Sequence, residues 1–168
     1  MTAHTLLTAL LGYKASADDA LLDALEMLDP DAASADYQSA LRVLHHIHRV
    51  DCIFAANLQR QQHAYAESWS RDALPLVELS SAIRHMDRWY LDHAAGLDDA
   101  ALEEVVDFVF TDGQRGRMSR EEMLGHVITH GGYHRGEIGR LLPEIESTAM
   151  RDVFAGYLHE TEPRRREA

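Results

Sequence analysis

The chain has 168 residues, with 16 Lys+Arg against 28 Asp+Glu and a net charge of −12 when histidine is neutral. That charge repels phosphate backbones and argues against nucleic-acid binding, while a single cysteine, Cys52, excludes an internal disulfide framework and every cysteine-rich zinc site. At 46 % hydrophobic residues the chain is too apolar for disorder, yet no apolar run approaches the ~18 residues of a membrane span.

Leu7, Leu10, Lys14, Ala17, Leu21, Ala24 and Leu28 recur at three- and four-residue spacing, which predicts an amphipathic helix from about Thr5 to Leu28. Lys14, the chain's sole lysine, breaks the stripe, and Asp29-Pro30 ends the helix. A second helix is expected from about Ser34 to Gln62, with Val43, Val50, Ile53 and Leu58 in register and His45, His46 and His48 within it. A third runs from about Asp72 to Gly96, with Pro75 in its first turn and Gly96 at its C-terminal cap. The β-branched and aromatic run Val105-Val106-Asp107-Phe108-Val109-Phe110, followed by Asp112-Gly113, predicts a short hairpin or extended excursion. Ser119 and Glu122 have capping-box spacing and open a fourth helix, which Pro143 stops after Leu142. A short C-terminal helix is expected over Thr148 to Leu158.

Four long helices with short connections predict an all-α four-helix bundle, a single domain over residues 1–160 followed by a solvated tail, 161–168. The N-terminus lacks the basic region of a signal peptide, so a cytoplasmic location is the default.

The chemistry lies in the eleven histidines. His126, His130 and His134 are spaced four apart and share one helix face. One ion cannot take all three, because His126 and His134 are separated by about 12 Å of helix rise and metal–nitrogen bonds are only about 2.1 Å long. One pair can bind, with a third ligand from another helix. Chance placement gives about 0.7 such pairs where the sequence has two, so spacing alone is weak support. Gly131, Gly132, Gly136 and Gly139 add to it, since each costs about 1 kcal/mol in a helix interior and close approach of a neighbouring helix is a reason to keep them. For the third ligand, His45 sits beside Arg42 and Arg49 and looks least buried. His46 and His48 tie on apolar neighbours. Neither the Glu-x-x-His pairs of di-iron bundles nor His-Glu-x-x-His is present.

Two segments carry a family resemblance: His46-Ile47-His48-Arg49-Val50-Asp51 on the second helix, and His130-Gly131-Gly132-Tyr133-His134-Arg135-Gly136-Glu137 on the last long one. In order and spacing, over roughly residues 3 to 142, they resemble the DinB/YfiT-like metal-dependent proteins. The resemblance implies an up-down-down-up bundle, commonly dimeric. It also implies that His46, His130 and His134 form the metal triad, with His126 outside it, and that the metal is zinc or nickel. Related proteins include transferases and isomerases working with a low-molecular-weight thiol, mycothiol or bacillithiol. This chain departs from the family pattern at His45, where Asn is frequent, at Tyr133, where His is frequent, and at Glu137, where Gln is usual.

Three neutral imidazoles leave a coordination position open, as in catalytic zinc sites. The expected function is therefore a metal-dependent enzyme that activates a bound thiol or water for a small-molecule substrate, which the resemblance narrows to a thiol-dependent transferase, isomerase or hydrolase. The alternative is a non-catalytic bundle stabilised by its metal, a stress-response or binding module. Asp51, Tyr133, Arg135 and Glu137 are candidates to orient ligands or substrate. Their ordinary alternatives are a helix–helix ion pair for Asp51 with Arg135, a core aromatic for Tyr133 and a solvated face for Glu137. A homodimer would use either the Leu76, Ile83 and Tyr90 face or the C-terminal helix, and no sequence feature selects between them.

Overall fold

Each periodic run becomes a helix, and the chemistry at its ends sets its length. The computed structural model describes residues 2–28, 35–146 and 152–167. Helix α1, Ala3–Glu26, opens on Thr2, whose hydroxyl accepts the Thr5 N–H. The Asp29-Pro30 stop lies outside the described residues. Helix α2, Ala35–Leu58, ends four residues before the expected Gln62. Arg60 adopts the left-handed region at φ 57°, donating its N–H to the Asn57 carbonyl at 2.9 Å while Gln61 donates to Ala56 at 2.9 Å. That paired capping is normally a glycine's work, which is why periodicity missed it. Helix α3, Leu76–Ala95, begins four residues later than the expected Asp72, because Pro75 stands before the first turn rather than inside it. Gly96 caps its end as expected.

A short helix not expected from the sequence, α4 (Asp99–Glu103), is capped by the Asp98 carboxylate on Ala101 N–H. Strands β1 (Val105–Val109) and β2 (Arg115–Ser119) form the antiparallel hairpin, pairing Val105 with Ser119 and Val109 with Arg115 around Gly113 at φ 86°. Val106 and Phe108 turn inward, and a side chain at Gly116 would meet the Phe108 ring at 2.5 Å. Helix α5, Arg120–Leu141, starts on the complete Ser119/Glu122 capping box. Pro143 stops α5 but opens a further turn, α6 (Pro143–Glu146). Helix α7, Phe154–Thr161, reaches beyond the expected Leu158, while the start expected at Thr148 lies outside the described residues. A 3₁₀ turn, Pro163–Arg166, follows with its residues exposed. The fold is mostly helical, and no helix among the described residues is long and apolar enough to cross a membrane.

The four long helices pack α1 on α3 and α5, and α2 on α3 and α5. Helix α5 runs against α2: His46 lies beside His134, Phe54 beside His126, and Arg120 donates to the Leu58 carbonyl. Two apolar clusters fill the interior. One gathers Phe54, Leu58, Tyr90, Phe108 and Val127, the other Leu22, Leu44, Ile47, Ile83 and Ile138. Burial of each such side chain contributes roughly 1.5–3 kcal/mol. Helix α7 seats Phe154 and Tyr157 on the Tyr13 ring of α1.

A buried charge network also occupies the interior. Lys14 Nζ donates to Asp18 at 2.8 Å, Asp51 at 2.8 Å and Asp87 at 2.7 Å. Arg135, fully buried, donates to Asp18 at 2.8 Å and to Asp152 at 2.7 Å. This explains the polar break in the α1 stripe and gives Gly131 a reason of its own. A Cβ at Gly131 would lie 3.1 Å from Arg135 Nη1 and 3.6 Å from Lys14 Cε, whereas one at Gly136 would meet nothing within 4 Å. Gly131 makes room for two long cationic side chains, not for a neighbouring helix backbone.

Candidate metal centre

Because α5 runs against α2, two successive turns of α5 meet one turn of α2, and three imidazoles converge there. His46 Nε2 and His130 Nε2 are 3.1 Å apart. Ring centroids are 4.9 Å apart for His46–His130, 4.8 Å for His46–His134 and 4.5 Å for His130–His134. One nitrogen from each ring lies within 4.8 Å of the other two. A tetrahedral zinc ion with bonds near 2.05 Å sets its donors about 3.3 Å apart, close to the observed Nε2 pair.

Hydrogen bonds at the far side of two rings fix which nitrogen is free. His46 Nδ1 is 3.0 Å from the Ser68 carbonyl, which can only accept, so Nδ1 carries the proton and Nε2 keeps its lone pair. His134 Nδ1 is 2.8 Å from Glu137 Oε2, an acceptor when ionised, with the same consequence. His130 Nδ1 is buried without a partner. Burial pushes His46 below the usual imidazole range. It pushes His130 down to about 3, aided by the neighbouring His134, His46, His126 and Lys14. These two rings are therefore neutral at physiological pH, the form that donates to a metal.

The geometry also separates His46 from its neighbours. His48 turns to Cys52, with Nε2 3.5 Å from Sγ, and His45 turns to the Asp72 carbonyl at 3.2 Å. His126 stacks on Phe54 at 4.4 Å and stands outside the cluster.

The segment joining α2 to α3 builds the rim. Its Trp69 ring lies flat on His46, 3.9 Å between centroids and 4° between planes, and meets His134 edgewise at 5.9 Å. Arg49 donates to the Trp69 carbonyl at 3.2 Å and lies over the Tyr65 ring at 5.0 Å, fastening the segment along α2. Ser68 and Trp69 were not legible as site residues, since they lie in no periodic run. Trp69's being one of only two tryptophans is the sole hint.

The four orienting candidates divide. Glu137 reaches the cluster through His134. Tyr133 is 75 % exposed with its ring 5.0 Å from His134, a rim residue rather than a core aromatic. Asp51 and Arg135 belong to the buried charge network, and no direct bond joins them: Asp51 bonds Lys14, and Arg135 bonds Asp18 and Asp152. The chemistry of the donor set, three converging imidazoles with the Nδ1 atoms of His46 and His134 engaged elsewhere, fits one divalent transition-metal ion.

A model of the DinB family matches residues 1–165 of the chain. No curated protein and no solved structure matches it.

Proposed function

The chain belongs to the DinB family, and on that premise we propose that it is a metal-dependent enzyme acting on a small molecule through a bound thiol or water. His46, His130 and His134 hold the ion, zinc or nickel, through one nitrogen each. The observation that carries this reading is the convergence of three ring nitrogens within 4.8 Å, with the outer nitrogens of His46 and His134 already engaged by Ser68 and Glu137. When bound, a divalent ion with an open position lowers the pKa of a coordinated water or thiol toward neutrality.

The chain's own residues do the rest. Ser68 and Glu137 hold the tautomers of His46 and His134. Trp69 covers one face of His46 and keeps water from it. Tyr133 and Glu137 stand at the solvent edge, where a substrate enters. A low-molecular-weight thiol is the co-substrate this reading favours, with transfer, isomerisation or hydrolysis as the reaction class. Neighbour relations among α1, α2, α3 and α5 support the up-down-down-up bundle, here one domain, and a homodimer belongs to the same proposal, though not through the face expected at Leu76, Ile83 and Tyr90, since Ile83 and Tyr90 are buried in the core.

Elemental analysis of purified protein tests the ligand set. Wild type should carry one equivalent of divalent metal, and His46→Ala or His134→Ala should carry none while keeping the helical circular dichroism. Full metal content in both variants overturns it. Consumption of a thiol with an electrophile such as 1-chloro-2,4-dinitrobenzene, present in the metal-loaded and absent in the chelated protein, supports the enzyme. No turnover together with a large chelator-induced drop in melting temperature favours a metal-stabilised binding module.

A further inference from the structure

Two exposed aromatic rings flank the same imidazole. Trp69 remains 45 % exposed although one face lies on His46, and Tyr133 is 75 % exposed. Tyrosine and tryptophan rings left this open, next to a cluster of converging nitrogens, do nothing for the apolar interior. Their ring centroids lie 5.9 Å and 5.0 Å from that of His134, with interplanar angles of 80° and 84°. The two distances bound the separation of the rings at roughly 11 Å, within which one flat group can contact both by stacking or edge-on approach. The rings come from different elements, Trp69 from the segment after α2 and Tyr133 from α5.

Each ring is held differently. Trp69 is fixed by its stack on His46 and by the Arg49 bond to its carbonyl. Tyr133 has no hydrogen bond to restrain its hydroxyl among those formed by the described residues and rests only edgewise on His134. One wall is rigid and the other adjustable.

We propose that Trp69 and Tyr133 are specificity-determining residues that select a substrate or thiol bearing a flat, conjugated or aromatic group, joined by a short linker to the donor atom that enters the histidine cluster. The inference rests on the metal reading of His46, His130 and His134. Aromatic pairs contribute about 0.5–1.5 kcal/mol beyond burial, so each wall is worth a roughly 2- to 13-fold preference.

The test loads the protein with Co(II), verified by elemental analysis, and titrates 2-phenylethanethiol and 2-cyclohexylethanethiol, which share a linker and differ in ring planarity. Cobalt absorbance and tryptophan fluorescence report binding, with no need for turnover. The ratio of the two affinities, compared between wild type and variants, cancels the small difference in thiol acidity. Wild type should favour the phenyl compound several-fold more than Trp69→Leu or Tyr133→Ala does, with cobalt content unchanged. Tyr133→Ala alters an exposed side chain and guards against a folding defect in the other variant. An identical ratio in all three proteins overturns the aromatic selection and leaves the metal reading standing. Failure of the wild type to take up cobalt overturns the metal reading and this inference with it.

Discussion

Helices α2 and α5 each contribute to two polar clusters: Asp51 and Arg135 to the charge network around Lys14, and His46, His130 and His134 to the imidazole group. The network is closed. Its two cations are surrounded by Asp18, Asp51, Asp87 and Asp152, and Asp51 Oδ1 is its one buried atom without a partner. The imidazole group is open. Its inward nitrogens face one another, with His46 Nε2 and His130 Nε2 3.1 Å apart, close enough to share one proton or one cation. A buried cluster whose cations and carboxylates bond one another is architecture, whereas one whose ring nitrogens converge on a shared centre can take a ligand from outside.

Removing the cation from the closed cluster should have the largest effect. Lys14→Met leaves three carboxylates facing one another and should cost about 3–5 kcal/mol at neutral pH. Urea unfolding measures it, with partial recovery near pH 4 as the carboxylates protonate. A loss below 1 kcal/mol would mean the cluster is solvated rather than closed.

The closed cluster should also impress a pH dependence on stability. Burial raises Asp51 to about 6 and Asp87 to about 7 despite the facing Lys14, with Asp18 opposing ionisation and, for Asp51, Arg135 favouring it. Lys14 would be lowered by burial, but the carboxylates outweigh that and keep it charged. The unfolded chain releases these aspartate protons near pH 4, whereas the native state keeps one or both to higher pH. Their contribution is thus complete below about pH 4, falls by a few kcal/mol as pH rises toward 7 and is flat above. Asp18 works oppositely: burial would raise it, but Lys14 and Arg135 outweigh that and lower it, so its loss comes at more acidic pH. Asp87→Asn should flatten the slope between pH 4 and 7. An unchanged slope would show that the proton is not held there.

In the open cluster the expected effect is on binding rather than folding. Glu137→Ala frees His134 Nδ1 and should weaken metal affinity about 10- to 100-fold, measured by competition with a chelator, while the melting temperature of the metal-free protein stays put. Glu137→Gln, whose amide oxygen still accepts from Nδ1, should restore most of it. Equal affinity in all three proteins would reduce Glu137 to a solvated side chain.

Much of the fold was legible because helix periodicity is local. The stripes of α1, α2, α3 and α5, the Ser119/Glu122 box and the Asp112-Gly113 turn are statements about residues a few positions apart. The misplaced ends came where a residue took an unusual role, Arg60 in a left-handed cap and Pro75 outside its helix. In the site, the α5 histidine pair was legible from spacing, but spacing alone left His46 tied with His48. Ser68 and Trp69 were invisible, since nothing periodic marks a connecting segment. Lys14 was visible as an anomaly, and of its partners only Asp18, four residues on, lay within local reach.

By itself the sequence determined which faces of the long helices are apolar and that one turn-spaced histidine pair shares a face, because both follow from the 3.6-residue repeat. Tertiary structure alone decided that His46 meets that pair, and that Lys14, with Asp18 one turn along its own helix, also finds Asp51 and Asp87 on two others. Those outcomes depend on how one rod is rotated and shifted against another, and that offset is set by the packing of the whole interior rather than by any stretch of neighbouring residues.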